Sequence, residues 1–296
     1  MFDKVLIGVD RVYRGRDPIA LARRLAAESA ELTLAHVYPG DARIWPGAPT
    51  EHAVAHCERA LELLRQARDE AGIEVRLLHI ESASVGRGLH ELAESAGANL
   101  LVVGSSARGL AGRVLLGDDT HAALNGAPCA VAIAPGGYAS TERTLQRIGV
   151  AYNESAEAEH ALSVARELAT THHATLSAME VVSLPTYAFL AGPAPCDGVF
   201  SDLVEAACER LSTLESVEVH AAYGNAAEEL ASYSGSLNLL VVGSRGYGPV
   251  RRLVHGSTSQ RLARTARCPL LVLTRAVGAV SDADGARQHA ATANVA

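Results

Sequence analysis

The chain is written twice. Asn99-Leu100-Leu101-Val102-Val103-Gly104-Ser105 recurs letter for letter as Asn238-Leu239-Leu240-Val241-Val242-Gly243-Ser244, an offset of 139 residues. The same offset carries Gly117 onto Gly256 and Cys129 onto Cys268. A period this long marks a duplicated domain and not a solenoid unit. The 296 residues accommodate two ordinary domains, each long enough to bury a core. Whatever the fold is, it must be one that can be built twice.

Each copy alternates short apolar runs with helical periodicity. In the first, strands are expected at Val5–Val9, Leu32–Val37, Val75–Ile80, Leu100–Val103 and Ala130–Ala134. Helices are expected at Ile19–Ala30, at Val54–Ala71 ended by Gly72, at Leu89–Ala96 ended by Gly97, and from about Asp119. The second copy repeats the order, with strands near Arg147–Ala151, Thr175–Val181, Val217–Ala221, Leu239–Val242 and Leu270–Thr274. Strands separated by helices imply a doubly wound α/β fold, with a parallel sheet, right-handed crossovers and helices on both faces. Pro135–Ser140 reads as the linker, and the Ala/Asp/Gly-rich end of the chain as a disordered tail. The expected units are therefore residues 1–136 and 145–276, with a tail over 277–296.

The loop after the fourth strand carries the chemistry. In the second copy Gly243-Ser244-Arg245-Gly246 is followed by nine residues and then Gly256-Ser257-Thr258-Ser259, where a helix opens. Ligands in open α/β sheets bind outside the carboxyl ends of the strands. Glycines there let backbone N–H groups approach phosphate oxygens, and a helix N-terminus favours an anion. The alternative is a tight turn followed by a serine-capped helix. A Walker A loop is excluded because no Gly-Lys follows; Lys4 is the chain's only lysine. A Rossmann fingerprint would follow the first strand, not the fourth.

With Gly243, Gly246, Gly256 and Ser257 in this context, the chain resembles the universal stress proteins, whose nucleotide-binding members carry Gly-x2-Gly-x9-Gly-Ser/Thr after the fourth strand. Ile7-Gly8-Val9-Asp10, His36-Val37 and Cys268-Pro269 resemble the family as well. The resemblance implies two tandem flavodoxin-like domains of the adenine nucleotide alpha hydrolase-like class, each a five-stranded parallel sheet. It implies an intramolecular pseudo-dimer through the last strands, with further homo-oligomers open. It also implies binding of ATP, with any Mg²⁺ held mainly through phosphate oxygens and water, in a cytoplasmic stress-response protein. The nucleotide-binding residues it implies are Asn153, Gly243, Ser244, Arg245, Gly246, Gly256, Ser257, Thr258 and Ser259.

The two copies differ at this site. The first-copy loop keeps the spacing, but Ala107 replaces the second glycine, and Asp118 and Asp119 stand where the second copy has Ser257 and Thr258. Two carboxylates there repel phosphate yet suit a helix N-terminus, so capping is the better reading of that loop. The first copy does keep Asp10, the aspartate that in the family contacts the adenosine moiety; the second has Ala151 or Asn153, depending on where the gap falls. A degenerate site of Asp10, Gly104 and Gly117 remains in the first copy, and one nucleotide per chain is expected, in the second.

Other features are weaker. His52, His56 and Cys57 share a helix but lack further metal ligands nearby, and read as an exposed face. His172-His173 reads as a solvated loop. His36 and Glu180 end equivalent strands and are open between cleft mouth and surface. Cys129 and Cys268, being equivalent, read as packing residues. The long segments holding Trp45, and Tyr187 with Phe189, are open between lids and packed loops, as are Tyr247 and Pro249. No Gly-x-Ser-x-Gly elbow and no paired carboxylates suggest hydrolysis. The five cysteines form no C-x-x-C pair, which fits reduced thiols. No apolar run reaches membrane-helix length, and Met1-Phe2-Asp3-Lys4 leads straight into a strand without a secretory pattern. The net charge of -7 argues against general nucleic-acid binding, although Gly243–Arg275 holds seven arginines and no acid. A partner-binding module without nucleotide and a weak ATPase are the rival functions. A flavoprotein would share the sheet.

Overall fold

The computed structural model describes residues 1–38, 50–105, 114, 118–141, 144–183, 197–244 and 257–274. The first copy runs β1 (Phe2–Gly8), α1 (Val12–Leu25), β2 (Ala26–Tyr38), α2 (Thr50–Ala71), β3 (Arg76–Glu81), α3 (Val85–Ala96), β4 (Leu100–Gly104), α4 (Asp118–Leu124) and β5 (Ala130–Ala134). The second runs β6 (Arg147–Ala151), α5 (Ala156–His172), β7 (Thr175–Val182), α6 (Asp197–Leu211), β8 (Glu218–Tyr223), α7 (Ala226–Tyr233), β9 (Leu239–Gly243), α8 (Ser257–Thr265) and β10 (Leu270–Leu273).

All ten strands form one sheet, in the order β3-β2-β1-β4-β5-β10-β9-β6-β7-β8. Within each copy the pairing is parallel and the order is 3-2-1-4-5; flavodoxin itself is ordered 2-1-3-4-5. The winding reverses between β1 and β4, and again between β6 and β9, so those two gaps are the places where a crevice opens. The copies join through their last strands, which run antiparallel with Ala132 opposite Leu271. These two residues are 139 apart, hence repeat equivalents, and a pseudo-two-fold axis passes between them. His121 of α4 and Gln260 of α8, also equivalents, meet across that axis at 2.7 Å.

Strand alternation sends successive side chains to opposite faces. Val5, Ile7, Val150, Leu239 and Leu271 enter the cluster under α1 and α5; Leu6, Val131, Leu240, Leu270 and Val272 enter the one on the opposite face. Both clusters draw on both copies, so the β5–β10 seam makes two continuous cores rather than two private ones.

Three local expectations change. The helix expected at Ile19–Ala30 lies at Val12–Leu25, and Ala26 starts β2. The Ala/Glu-rich stretch after Leu25 has helix propensity, but pairing with β1 overrides it: Phe2 faces Ala26, and an irregularity before Lys4 resets the register. Helix α3 begins at Val85 despite two glycines in its first turn, because a Cβ on Gly86 would collide with the backbone of Ala122 on α4. The linker is docked and not a free tether. Tyr138 is buried, and the Asp17 carboxylate accepts hydrogen bonds from the N–H groups of Gly137 (2.9 Å) and Ala139 (2.8 Å). The expected tail lies outside the described residues. Among those described, no helix is long and apolar enough to cross a membrane.

Candidate functional site

A cavity of about 580 Å³ opens at the carboxyl ends of β6, β7 and β9, over the second reversal point. Asn153 and Ser155 line one side, Gly243, Thr258 and Ser259 another, and Met179, Val181, Leu230 and Leu262 supply an apolar wall. Tyr152, Glu157 and Ser183 line it too, so polar and apolar groups share the wall, which suits a small ligand with both polar and apolar parts.

Sheet register settles which second-copy residue corresponds to Asp10. Ile7 pairs with Val102, and Val150 with Val241. Val102 and Val241 are repeat equivalents, so Ile7 matches Val150 and Asp10 matches Asn153, not Ala151. The backbone agrees: the N–H of Val9 donates to Ala35, and that of Tyr152 to Met179, in the same relation.

Gly243 ends β9 where α5 comes closest. A Cβ on it would lie 2.5 Å from the Glu157 carbonyl oxygen, so only glycine lets the first turn of α5 rest on the strand. Ser244 does not line the cavity: it is 2% exposed, and its N–H donates to Leu273 (3.0 Å), as its mate Ser105 does to Ala134 (2.8 Å). Thr258 and Ser259 belong to the first turn of α8, a turn without acidic side chains whose leading N–H groups lack intrahelical partners. Arg245, Gly246 and Gly256, and Gly117 of the first copy, lie outside the described residues, as does the side chain of Ser257. Tyr247, Pro249, Trp45, Tyr187 and Phe189 lie outside them too.

Asn153 begins the turn from β6 into α5. Glu154 takes a left-handed backbone (φ 56°), rare for a residue with a side chain, and Ser155 caps the helix by accepting from the Ala158 N–H (3.2 Å). Ser155 also donates to Asn153 Oδ1, through its hydroxyl at 2.7 Å and its N–H at 3.4 Å. Beside it the Tyr152 hydroxyl donates to Glu159. Burial first, then that bond and the charges of Glu159, Glu154 and Glu180, push the Tyr152 phenol up to about 12, so it stays protonated. Tyr152 and Ser155 escaped the sequence reading, although an Asn-x-Ser cluster ahead of a helix is a recognisable capping signal.

Other expectations find their places. His36 Nδ1 lies 2.7 Å from the Val9 carbonyl and steadies the strand end that carries Asp10. Its counterpart Glu180 is buried and accepts from Arg210 (2.6 Å), away from the cavity lining. Thr120, the equivalent of Ser259, donates to the Gly104 carbonyl (3.0 Å). Of the seven arginines, Arg261 lies 4.0 Å from Glu228 on an exposed face, and neither it, Arg264 nor Arg267 lines the cavity. His172 is not simply solvated: its Nε2 lies 2.7 Å from the Arg24 carbonyl, joining the copies. His56 stacks on Tyr38, and Cys57 lies 3.7 Å from His79 Nε2; no group of three metal-ligating side chains occurs among the described residues. Cys129 and Cys268 are buried, and burial pushes the Cys129 thiol up to about 12, which suits packing and not reactivity.

A family model described as the universal stress protein family matches residues 1–135 and again residues 144–274. A universal stress protein of Mycolicibacterium smegmatis is 27% identical over 293 residues, covering 91% of this chain and 96% of its own. One from Mycobacterium tuberculosis is 29% identical over 237 residues, covering 75% and 79%. The crystal structure of a universal stress protein from Archaeoglobus fulgidus shares the fold, with a TM-score of 0.64 at 18% identity over 92% of this chain and 98% of that one.

Proposed function

Because the chain belongs to the universal stress protein family and carries its unit twice, we propose that it binds one ATP, or a related adenine nucleotide, in the cleft of its second copy. In this reading the units span residues 1–136 and 145–276, and the protein works in the cytoplasm in the response to stress. The observation that carries the reading is the cavity itself. It faces Asn153 across from Gly243, Thr258 and Ser259, with the acid-free N-terminus of α8 at one end. Phosphates would lie at that end, on the N–H groups of α8 and the hydroxyls of Thr258 and Ser259. The nucleoside would lie toward Asn153 and the apolar wall. Mg²⁺, if carried, would come with the phosphates. In the first copy Asp119 opens the corresponding helix, and the anion is disfavoured there. The role assigned is binding, with turnover at most slow.

The test is to denature the purified protein, identify any nucleotide released, and titrate stripped protein with ATP. Saturable binding supports the reading. An empty protein that ATP does not titrate sinks it and favours the partner-binding alternative.

A further inference from the structure

Asn153 stands where the first copy has Asp10, and the exchange is more than a lost charge. Asn153 Oδ1 already accepts from the hydroxyl of Ser155 at 2.7 Å and from its N–H at 3.4 Å. Turning the amide over would set the Nδ2 donors against the Ser155 N–H, a group that can only donate. The Ser155 hydroxyl oxygen accepts from the Ala158 N–H as the cap of α5 and can serve either end of the amide, so the backbone N–H is the orienting partner. The Ser155 N–H thus determines the orientation of the amide. The carbonyl faces Ser155, and what Asn153 retains for the cavity it lines is a pair of N–H donors. A carboxylate such as Asp10 offers the reverse, acceptors only.

Resting on the nucleotide reading above, we infer that Asn153 addresses the ligand as a hydrogen-bond donor, so that the second-copy cleft grips a purine through an acceptor on its base and does not require the exocyclic amine. Asn153 is then a specificity-determining residue. A 6-oxopurine nucleotide presents a carbonyl where adenine presents an amino group, so the two distinguish donor from acceptor at this position.

The experiment measures dissociation constants of stripped full-length protein for ATP and for ITP by calorimetry, in wild type, Asn153→Asp and Ser155→Ala, with circular dichroism to verify folding. Wild type is expected to bind ITP at least as tightly as ATP. Asn153→Asp should swing the ATP-to-ITP preference toward ATP by about fivefold, the worth of roughly one hydrogen bond. Ser155→Ala removes the hydroxyl but keeps the N–H that orients the amide, so it should leave the ratio close to that of wild type. A wild-type preference for ATP, or a ratio that Asn153→Asp does not move toward ATP, overturns the donor assignment alone. Failure of both triphosphates to bind overturns the nucleotide reading, and the assignment with it, and is a different observation from a wrong ratio.

Discussion

Thr258→Asp imports into the second copy what the first already has, since Asp119 is the equivalent residue of α4. Thr258 is the second residue of α8 and lines the cavity. A carboxylate in that first turn interacts favourably with the helix dipole, by about 0.3–1 kcal/mol, so the fold should be as stable as before or slightly more so. A bound phosphate meets the opposite effect. With roughly 5 Å between the charges and an effective dielectric constant of about 20, repulsion is about 3 kcal/mol. Screening at physiological salt removes part of it, leaving about 1.5–3 kcal/mol, or roughly a ten- to hundredfold weaker ATP complex. Thr258→Val, which deletes only the hydroxyl, should cost less than about tenfold. Calorimetric titration with ATP, paired with thermal melts of the same samples, separates affinity from stability. An unchanged dissociation constant in a folded Thr258→Asp protein would refute the placement of phosphate at α8.

Four further outcomes are expected. Gly243→Ala forces a methyl group onto the Glu157 carbonyl and should destabilise the protein by about 1–3 kcal/mol, read from the denaturation midpoint. Asp17→Ala strips the linker turn of two hydrogen bonds to a carboxylate and should cost about 1–2 kcal/mol, with protease cleavage near Tyr138 as the sensitive readout. Raising the pH should destabilise the fold from about pH 9 upward. The Cys129 thiol (ordinarily 9.0) and the Tyr152 and Tyr233 phenols (ordinarily 10.0) are each pushed up to about 12, mainly by burial. Their neutral forms are favoured on folding, so the stability they contribute is intact below the unfolded values and is lost as pH climbs toward 12, at up to ~1.4 kcal/mol per pH unit for each group. Cys129→Ala should flatten that slope between pH 9 and 12, and an unaltered slope would remove Cys129 from the account. Finally, Ala132→Pro places a ring in the central seam where Ala132 faces Leu271, and should cost about 3 kcal/mol or more and weaken both copies together in a single unfolding transition. Two separate transitions would contradict the shared cores.

Much of the molecule was legible because its signals are local or repeated. The seven-residue repeat located β4 and β9, and the apolar runs located the other strands to within a few residues, except the start of β2. Joining of the copies through their last strands followed from the family resemblance, and the β5–β10 pairing bears it out. What escaped was decided by distant partners. Ala26–Glu31 reads as helix because nothing within it announces that β1 will pair there. The first turn of α3 was obscured by glycines whose use lies on another helix, at Ala122. Asp10 could not be aligned by spacing, since the offset is 143 between Ile7 and Val150 but 139 between the fourth strands. Only the strand register assigns Asn153, and only the Ser155 contacts show which end of its amide is engaged. Of the basic segment, Arg261, Arg264 and Arg267 are exposed and do not line the cavity, as expected of a solvated helix face, while Arg245, Arg251, Arg252 and Arg275 lie outside the described residues.

The central claim is that two homologous copies yield one nucleotide site. Calorimetric titration of stripped full-length protein with ATP tests it most directly through the stoichiometry. One ATP per chain is predicted, abolished or greatly weakened by Thr258→Asp and unaffected by Asp10→Ala. Two ATP per chain, or one that Asp10→Ala removes and Thr258→Asp spares, would contradict it.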